Sequence, residues 1–215
     1  MTIARIAIAR ICRMLQPAIA AGLLAILATS SLASSSRAQD GEASMTATLG
    51  GAGTPEPGTF ERENILKAAF VVNFVRYTTW PPAATDGVYH ACIVGHSAVG
   101  DALRLLEGQT VRGRAIAVSS AEDHAAYASC QMLFISESEV HSIKRILAAT
   151  DGKPILTVSD LPEFVQAGGM IGLKVVGNRV RFDINALTAK VEGLQLSAQL
   201  LRLADLIIDS PGGGN

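Results

Sequence analysis

The residues that most invite a chemical reading stand together in Gly95-His96-Ser97-Ala98-Val99-Gly100, between an apolar run and an amphipathic segment. A strand-to-helix turn is where a nucleophilic serine or a phosphate cradle would sit. A nucleophile elbow requires glycine two residues after the serine, and that position is Val99; the dinucleotide-binding fingerprint needs its glycines at other offsets. The turn therefore reads as structural, with Gly95 permitting the reversal and Ser97 capping the helix that follows, and a weak anion or ligand site at Gly95 and Ser97 is the alternative. His90 shares a strand face with Cys92, two residues on, but no other histidine lies at ligand spacing, so no metal site is expected. The carboxylates are scattered singly and form no general acid and base pair. An enzyme on this chain would have to be a hydrolase resting on Ser97. The expectation is that the chain is not an enzyme and needs no cofactor.

Two cysteines, Cys92 and Cys130, lie in the folded part, whereas Cys12 precedes an apolar stretch near the start. That start has a basic segment, Arg5, Arg10 and Arg13, before the uncharged run Pro17 to Leu32, followed by small residues. This is the secretory signal pattern, and the run is short for a membrane span. Cleavage after Ser31-Leu32-Ala33 or Ser36-Arg37-Ala38 fits the small-x-small rule. The second site is preferred, which makes residues 1–38 a signal peptide and Gln39 the mature start. An even number of cysteines in an oxidising compartment suggests a disulfide. All four basic residues of the leader leave with it, so the mature chain has 18 − 4 = 14 basic against 19 acidic side chains. A net charge of −5 gives no general electrostatic reason to bind nucleic acid or an anionic membrane.

Residues 39–59 are rich in Gly, Ser, Thr, Ala and Pro and read as a flexible tether. The remainder, 60–210, is long enough for one domain with its own core, and 211–215 is expected to be a disordered tail. Thr59 is placed to cap a helix from about Phe60 to Tyr77, with Glu61 and Glu63 in its first turn and Trp80-Pro81-Pro82 closing it. Strands and helices then alternate. Val88 to Val94, Ala115 to Val118, Met132 to Ile135 and Ile155 to Val158 are strands. Ala98 to Leu106, Glu122 to Ala128 and Glu139 to Ala148 are helices. Met170 to Val176 and Arg179 to Ile184, joined by Gly177-Asn178, read as a hairpin, and a helical region broken near Gly193 and running apolar to Ile207 closes the domain. The fold class is α/β: a largely parallel sheet flanked by helices, with a C-terminal β-hairpin and helix.

Several blocks in this order carry a family resemblance: Lys67-Ala68-Ala69-Phe70-Val71-Val72-Asn73-Phe74 with Trp80-Pro81, then Cys92-Ile93-Val94-Gly95 and Cys130-Gln131-Met132-Leu133-Phe134-Ile135. Next come Ile155-Leu156-Thr157-Val158-Ser159-Asp160 with Phe164, Gly168-Gly169-Met170-Ile171-Gly172-Leu173, Val180-Arg181-Phe182-Asp183-Ile184-Asn185 and Gly193-Leu194-Gln195-Leu196-Ser197-Ala198-Gln199-Leu200-Leu201-Arg202-Leu203-Ala204. Together they resemble the YfiR-like family of periplasmic repressors. The resemblance implies a protein that binds the periplasmic sensor region of an inner-membrane diguanylate cyclase and holds the enzyme inactive, lowering cyclic di-GMP and biofilm formation. It also implies that an outer-membrane lipoprotein can sequester the repressor, and that Cys92 and Cys130 form the bridge family members share. A homodimer is left open. A periplasmic small-ligand-binding protein using the turn at Gly95 and Ser97 is the alternative from another class.

A partner surface is expected around the hairpin, with Ile171, Leu173 and Arg181 as contacts, because a hairpin late in an α/β chain tends to occupy a sheet edge. Against this stands an equal reading, in which the same residues are the hydrophobic interior of the sheet.

Overall fold

A computed structural model describes residues 57–82, 87–210 and 213–214. The signal peptide and most of the tether expected from the sequence lie outside the described residues. Helix α1 runs over Pro57–Tyr77, so it starts before the expected Phe60 and takes in Thr59, which therefore stands inside the helix and not at its cap. Proline is suited to a first helical turn, where its missing N–H costs nothing. Glu61 and Glu63 consequently fall beyond the first turn. Strand β1 is Thr78–Thr79, β2 is Tyr89–Val94, and helix α2 is Ala98–Arg104. After them come β3 (Thr110–Val111), β4 (Arg114–Ser120), helix α3 (His124–Tyr127) and β5 (Met132–Ile135). The expected helix from Glu139 to Ala148 resolves into a 3₁₀ turn, Glu137–Glu139, and α4, Ile143–Thr150. Strands β6 (Leu156–Ser159), β7 (Ile171–Val176) and β8 (Arg179–Asn185) lead to helix α5, Ala186–Val191.

The closing region differs from expectation. It breaks into α5, β9 (Gln195–Leu196), the short helix α6 (Ala198–Leu201) and a further strand, β10 (Leu206–Ser210). Gly193, at φ +77°, ends α5 in the left-handed region that glycine takes without penalty. Ile207 and Ile208 are β-branched and have an unpaired strand to lie against. β10 runs parallel to β8, with Leu206 opposite Asp183 and Ile207 opposite Ile184. In the tail expected to be disordered, Gly213–Gly214 forms β11, antiparallel to β10.

The nine-stranded sheet has the order β11-β10-β8-β7-β6-β5-β2-β4-β3. Its centre, from β7 through β6, β5 and β2 to β4, is parallel, as is the β8–β10 ladder. The β7–β8 hairpin and the outermost pairs are antiparallel, so the sheet is mixed. Gly177 and Asn178 have φ of +54° and +62°, the paired positive values of a type I′ turn, as expected for that hairpin. Arg112 and Gly113, at +51° and +81°, make the same kind of turn between β3 and β4.

Both faces of the sheet are covered. On one face α1 buries Ala68, Val71, Val72, Phe74 and Val75 against the strands and against α2. Phe182 of β8 meets Phe74 edge-on at 5.0 Å between centroids and Phe70 at 6.0 Å. On the other face α3 and α4 cover a smaller cluster that includes Tyr127, Leu133, Ile135, Ile146, Phe164 and both cysteines. Cys92 in β2 and Cys130 just ahead of β5 are joined by a disulfide with Cα atoms 5.9 Å apart. Among the described residues no helix is long and apolar enough to cross a membrane.

Candidate functional site: a cleft at the strand ends

Strands β2, β4 and β5 deliver their carboxyl ends to one side of the molecule. The connection leaving β2 carries α2 on one face and leads to β4. The connection leaving β4 carries α3 on the opposite face and leads back across β2 to β5. Where successive connections diverge to opposite faces, a crevice is left beyond the strand ends, the usual ligand position in open α/β sheets. Here that crevice is a cleft of about 560 Å³.

Gly95, at φ +77°, begins the turn at its inner end, and a Cβ there would overlap the Ser138 hydroxyl and approach Glu139 Cγ to 2.8 Å. The neighbouring His96 N–H donates to Ser138 Oγ at 2.9 Å. Ser97 is the N-cap of α2: its backbone is extended and its Oγ accepts from the Gly100 N–H at 3.1 Å. The same hydroxyl donates to Ser136 Oγ at 3.3 Å, so its bonds go to a backbone N–H and another hydroxyl, not to a base. Asp123 caps α3 by accepting from the Ala126 N–H at 2.8 Å, which stands the short helix up as one wall of the cleft. His124 and Tyr127 stack obliquely on that wall, 5.3 Å between centroids. Glu139 and Arg145 come from the connection after β5 and from α4. Burial pushes the Tyr127 hydroxyl pKa up; the negative charges of Glu139 and Asp123 act in the same direction, and Arg145 opposes them.

The disulfide ties the segment leaving α3 to β2, directly behind this wall. Cys92 and Cys130 are therefore brought together as expected, and Gly95 and Ser97 stand at the turn they were expected to form. The hairpin residues are distributed differently. β10 covers β8, so the hairpin is inside the sheet and not at its edge. Ile171 is fully buried and Leu173 is 2% exposed, both in the core beneath α1, so the reading of these two as sheet interior is the correct one. Arg181 remains at the surface, its side chain 45% exposed and 3.7 Å from an oxygen of Asp205. Lys174, opposite Arg181, bonds Asp183 at 2.6 Å, which makes the outer side of the hairpin charged. Among the described residues no three of His, Cys, Asp and Glu gather as a metal site.

Sequence reasoning missed Tyr127, Glu139 and Arg145 as cleft residues, because they arrive from two different connections, Tyr127 from the one after β4 and the other two from the one after β5. Their one common signal is position: each follows the carboxyl end of a parallel strand.

The elements just described, from within α1 to the residue before β10, are those spanned by a model of the YfiR/HmsC-like family, which matches residues 64–205. The chain belongs to the YfiR/HmsC-like family. The matched span takes in the cysteine pair, the cleft and the hairpin. Membership makes the chain a periplasmic regulator of diguanylate cyclase signalling in general. The family consists of regulators and not of known enzymes, which accords with a serine held as a cap.

Proposed function

We propose that this chain represses an inner-membrane diguanylate cyclase by binding the cyclase's periplasmic region, thereby lowering cyclic di-GMP and biofilm formation. Membership of the YfiR/HmsC-like family is the observation that carries this reading. The bonding of Ser97, which serves a helix and engages no base, supports a role by occupancy without turnover. In this account residues 1–38 are a cleaved export signal, the residues up to α1 are a tether, and an outer-membrane lipoprotein is the sequestering partner. Arg181 and the exposed hairpin end, with Val176 54% exposed, are the proposed contact. Aromatic and arginine side chains rimmed by polar groups are the usual anchors of such surfaces. The test is a pull-down from detergent-solubilised inner membranes with the tagged mature chain. A membrane protein carrying a cyclase domain is expected in the bound fraction, and Arg181→Glu should reduce its amount. Recovery of no such protein contradicts the reading. A second reading, a periplasmic small-ligand-binding protein, has the cleft at the strand ends in its favour.

A further inference from the structure

The cleft is where the ligand-binding reading can be given a chemistry. Its volume of about 560 Å³ is that of a small-molecule site. Tyr127, only 2% exposed, lines the cleft, and its hydroxyl has no hydrogen-bond partner among the described residues. A hydroxyl that faces a cleft without a protein partner is a ready donor or acceptor for whatever enters. Glu139, half-buried, forms the side facing α3, while Glu122 and Asp123 stand at the rim. None of these three carboxylates is in an ion pair among the described residues. One guanidinium, Arg145, faces them, and it donates to Ser142 Oγ at 3.2 Å. The fixed charge around the opening is therefore negative on balance, and the exposed His124 ring, packed obliquely on the buried Tyr127, stands beside it. Carboxylates, an exposed ring and a phenol together suit a cation and repel an anion.

We infer that the cleft binds a small organic cation, a protonated primary amine with a compact apolar or aromatic body. The ammonium is taken by Glu139 with the Tyr127 oxygen as a second acceptor, and the body lies along α3 against the His124 ring. This deepens the ligand-binding reading and rests on it, and it holds whether or not the chain represses a cyclase. The disulfide behind α3 gives the site a fixed wall: with Cys92 and Cys130 joined, Tyr127 stays in place before any ligand arrives, which reduces the ordering cost of binding.

The experiment uses the oxidised mature protein and NMR of its aromatic resonances, titrated with tyramine and pentylamine in one arm and with their carboxylate counterparts, 4-hydroxyphenylpropionate and hexanoate, in the other. The expected result is saturable shifts at His124 and Tyr127 with the amines alone. Glu139→Gln should weaken amine binding about tenfold, the loss of one charge-assisted hydrogen bond, and Tyr127→Phe should weaken it less while leaving the thermal midpoint near that of the parent. Saturable binding of the carboxylates with none of the amines overturns the inference and leaves a ligand site of opposite charge. Saturation by neither arm overturns the inference and the ligand-binding reading together. Amine binding that survives unchanged in Glu139→Gln also overturns it, because the assigned counter-charge would play no part.

Discussion

Under α1 the sheet is covered by a helix of 21 residues whose Ala68, Val71, Val72, Phe74 and Val75 are all buried, with Phe70, Phe74 and Phe182 meeting ring to ring. The opposite face has α3, of four residues, and α4, of eight. It holds a smaller apolar cluster, a covalent link and an open cleft. The first face derives its cohesion from area removed from water, which needs a long helix pressed flat on the strands. On the second, α3 is too short to be a stable helix alone. A wall that must stand away from the strand ends to leave a cleft cannot bury much on its inner side, and the disulfide supplies what packing does not. The stapled face keeps a cleft of about 560 Å³, whereas the opening between α1 and the hairpin end on the packed face is about 300 Å³.

The largest effect expected from this contrast is loss of the staple. Replacing both Cys92 and Cys130 by alanine should cost about 4 kcal/mol on the chain-entropy account for a separation of 38 residues. The loss should be visible as a lowered midpoint in thermal denaturation and as lower abundance in the periplasm. Amide exchange should quicken first in α3 and around Tyr127, with α1 keeping its protection; equal loosening of both faces would break the comparison. Peptide mapping without reductant should show the Cys92–Cys130 pair linked in the parent protein.

Next is Phe182→Ala, which removes the ring that Phe70 and Phe74 meet and should cost about 3 kcal/mol by transfer and cavity terms. Because that ring lies on the packed face, the lowered stability seen in urea unfolding should be accompanied by no change at the cleft or in the disulfide.

Ser97→Ala should cost about 1 kcal/mol, the usual worth of a cap, and Ser97→Asp should cost less, since a carboxylate also caps and suits the start of a helix. With protein levels matched, both variants should still repress. If both fold normally and both fail, the serine has a role beyond its cap.

The smallest effect concerns Lys67 of α1, which bonds Glu63 at 3.0 Å and Asp160 at 3.1 Å. Burial lowers its pKa, but the two carboxylates outweigh that and hold it above 10.5. A raised folded-state value means stability that is fully present below pH 10.5 and lost as pH rises through the folded value. Lys67→Met should therefore flatten the alkaline end of the stability profile, read as the pH dependence of the urea midpoint.

The parts of this molecule written in local chemistry were legible in the sequence. Met132–Ile135 reads as a strand to the residue because all four side chains are apolar and all four are buried. Gly177-Asn178 announces its turn because those residue types accept positive φ. The β3–β4 turn gave no such signal, since Arg112 takes φ +51° without the residue type that advertises it, and its guanidinium instead donates to the Thr78 carbonyl at 3.2 Å. β10 was hidden for a different reason. Leu200, Leu203 and Ile207 recur at helical spacing, and only the free side of β8, fixed by the tertiary fold, turns Leu206–Ser210 into a strand. That strand also moved the hairpin inward, which is why Ile171 and Leu173 are interior while Arg181 is not. Of the cleft, only Gly95 was visible, at the turn whose Ser97 caps α2 and lies outside the lining. Tyr127, Glu139 and Arg145 meet there through the crossing of β connections, which no local pattern records.

The central claim is repression by occupancy, and the direct measurement is cyclic di-GMP in cells in which the exported chain is titrated against a fixed amount of its membrane cyclase. The account predicts that the nucleotide falls in proportion to the periplasmic protein and levels off once the two are equimolar, with Ser97→Ala following the same line. Full suppression by a small fraction of an equivalent would show turnover, and an unchanged nucleotide level at excess protein would show that the chain does not repress; either result contradicts the account.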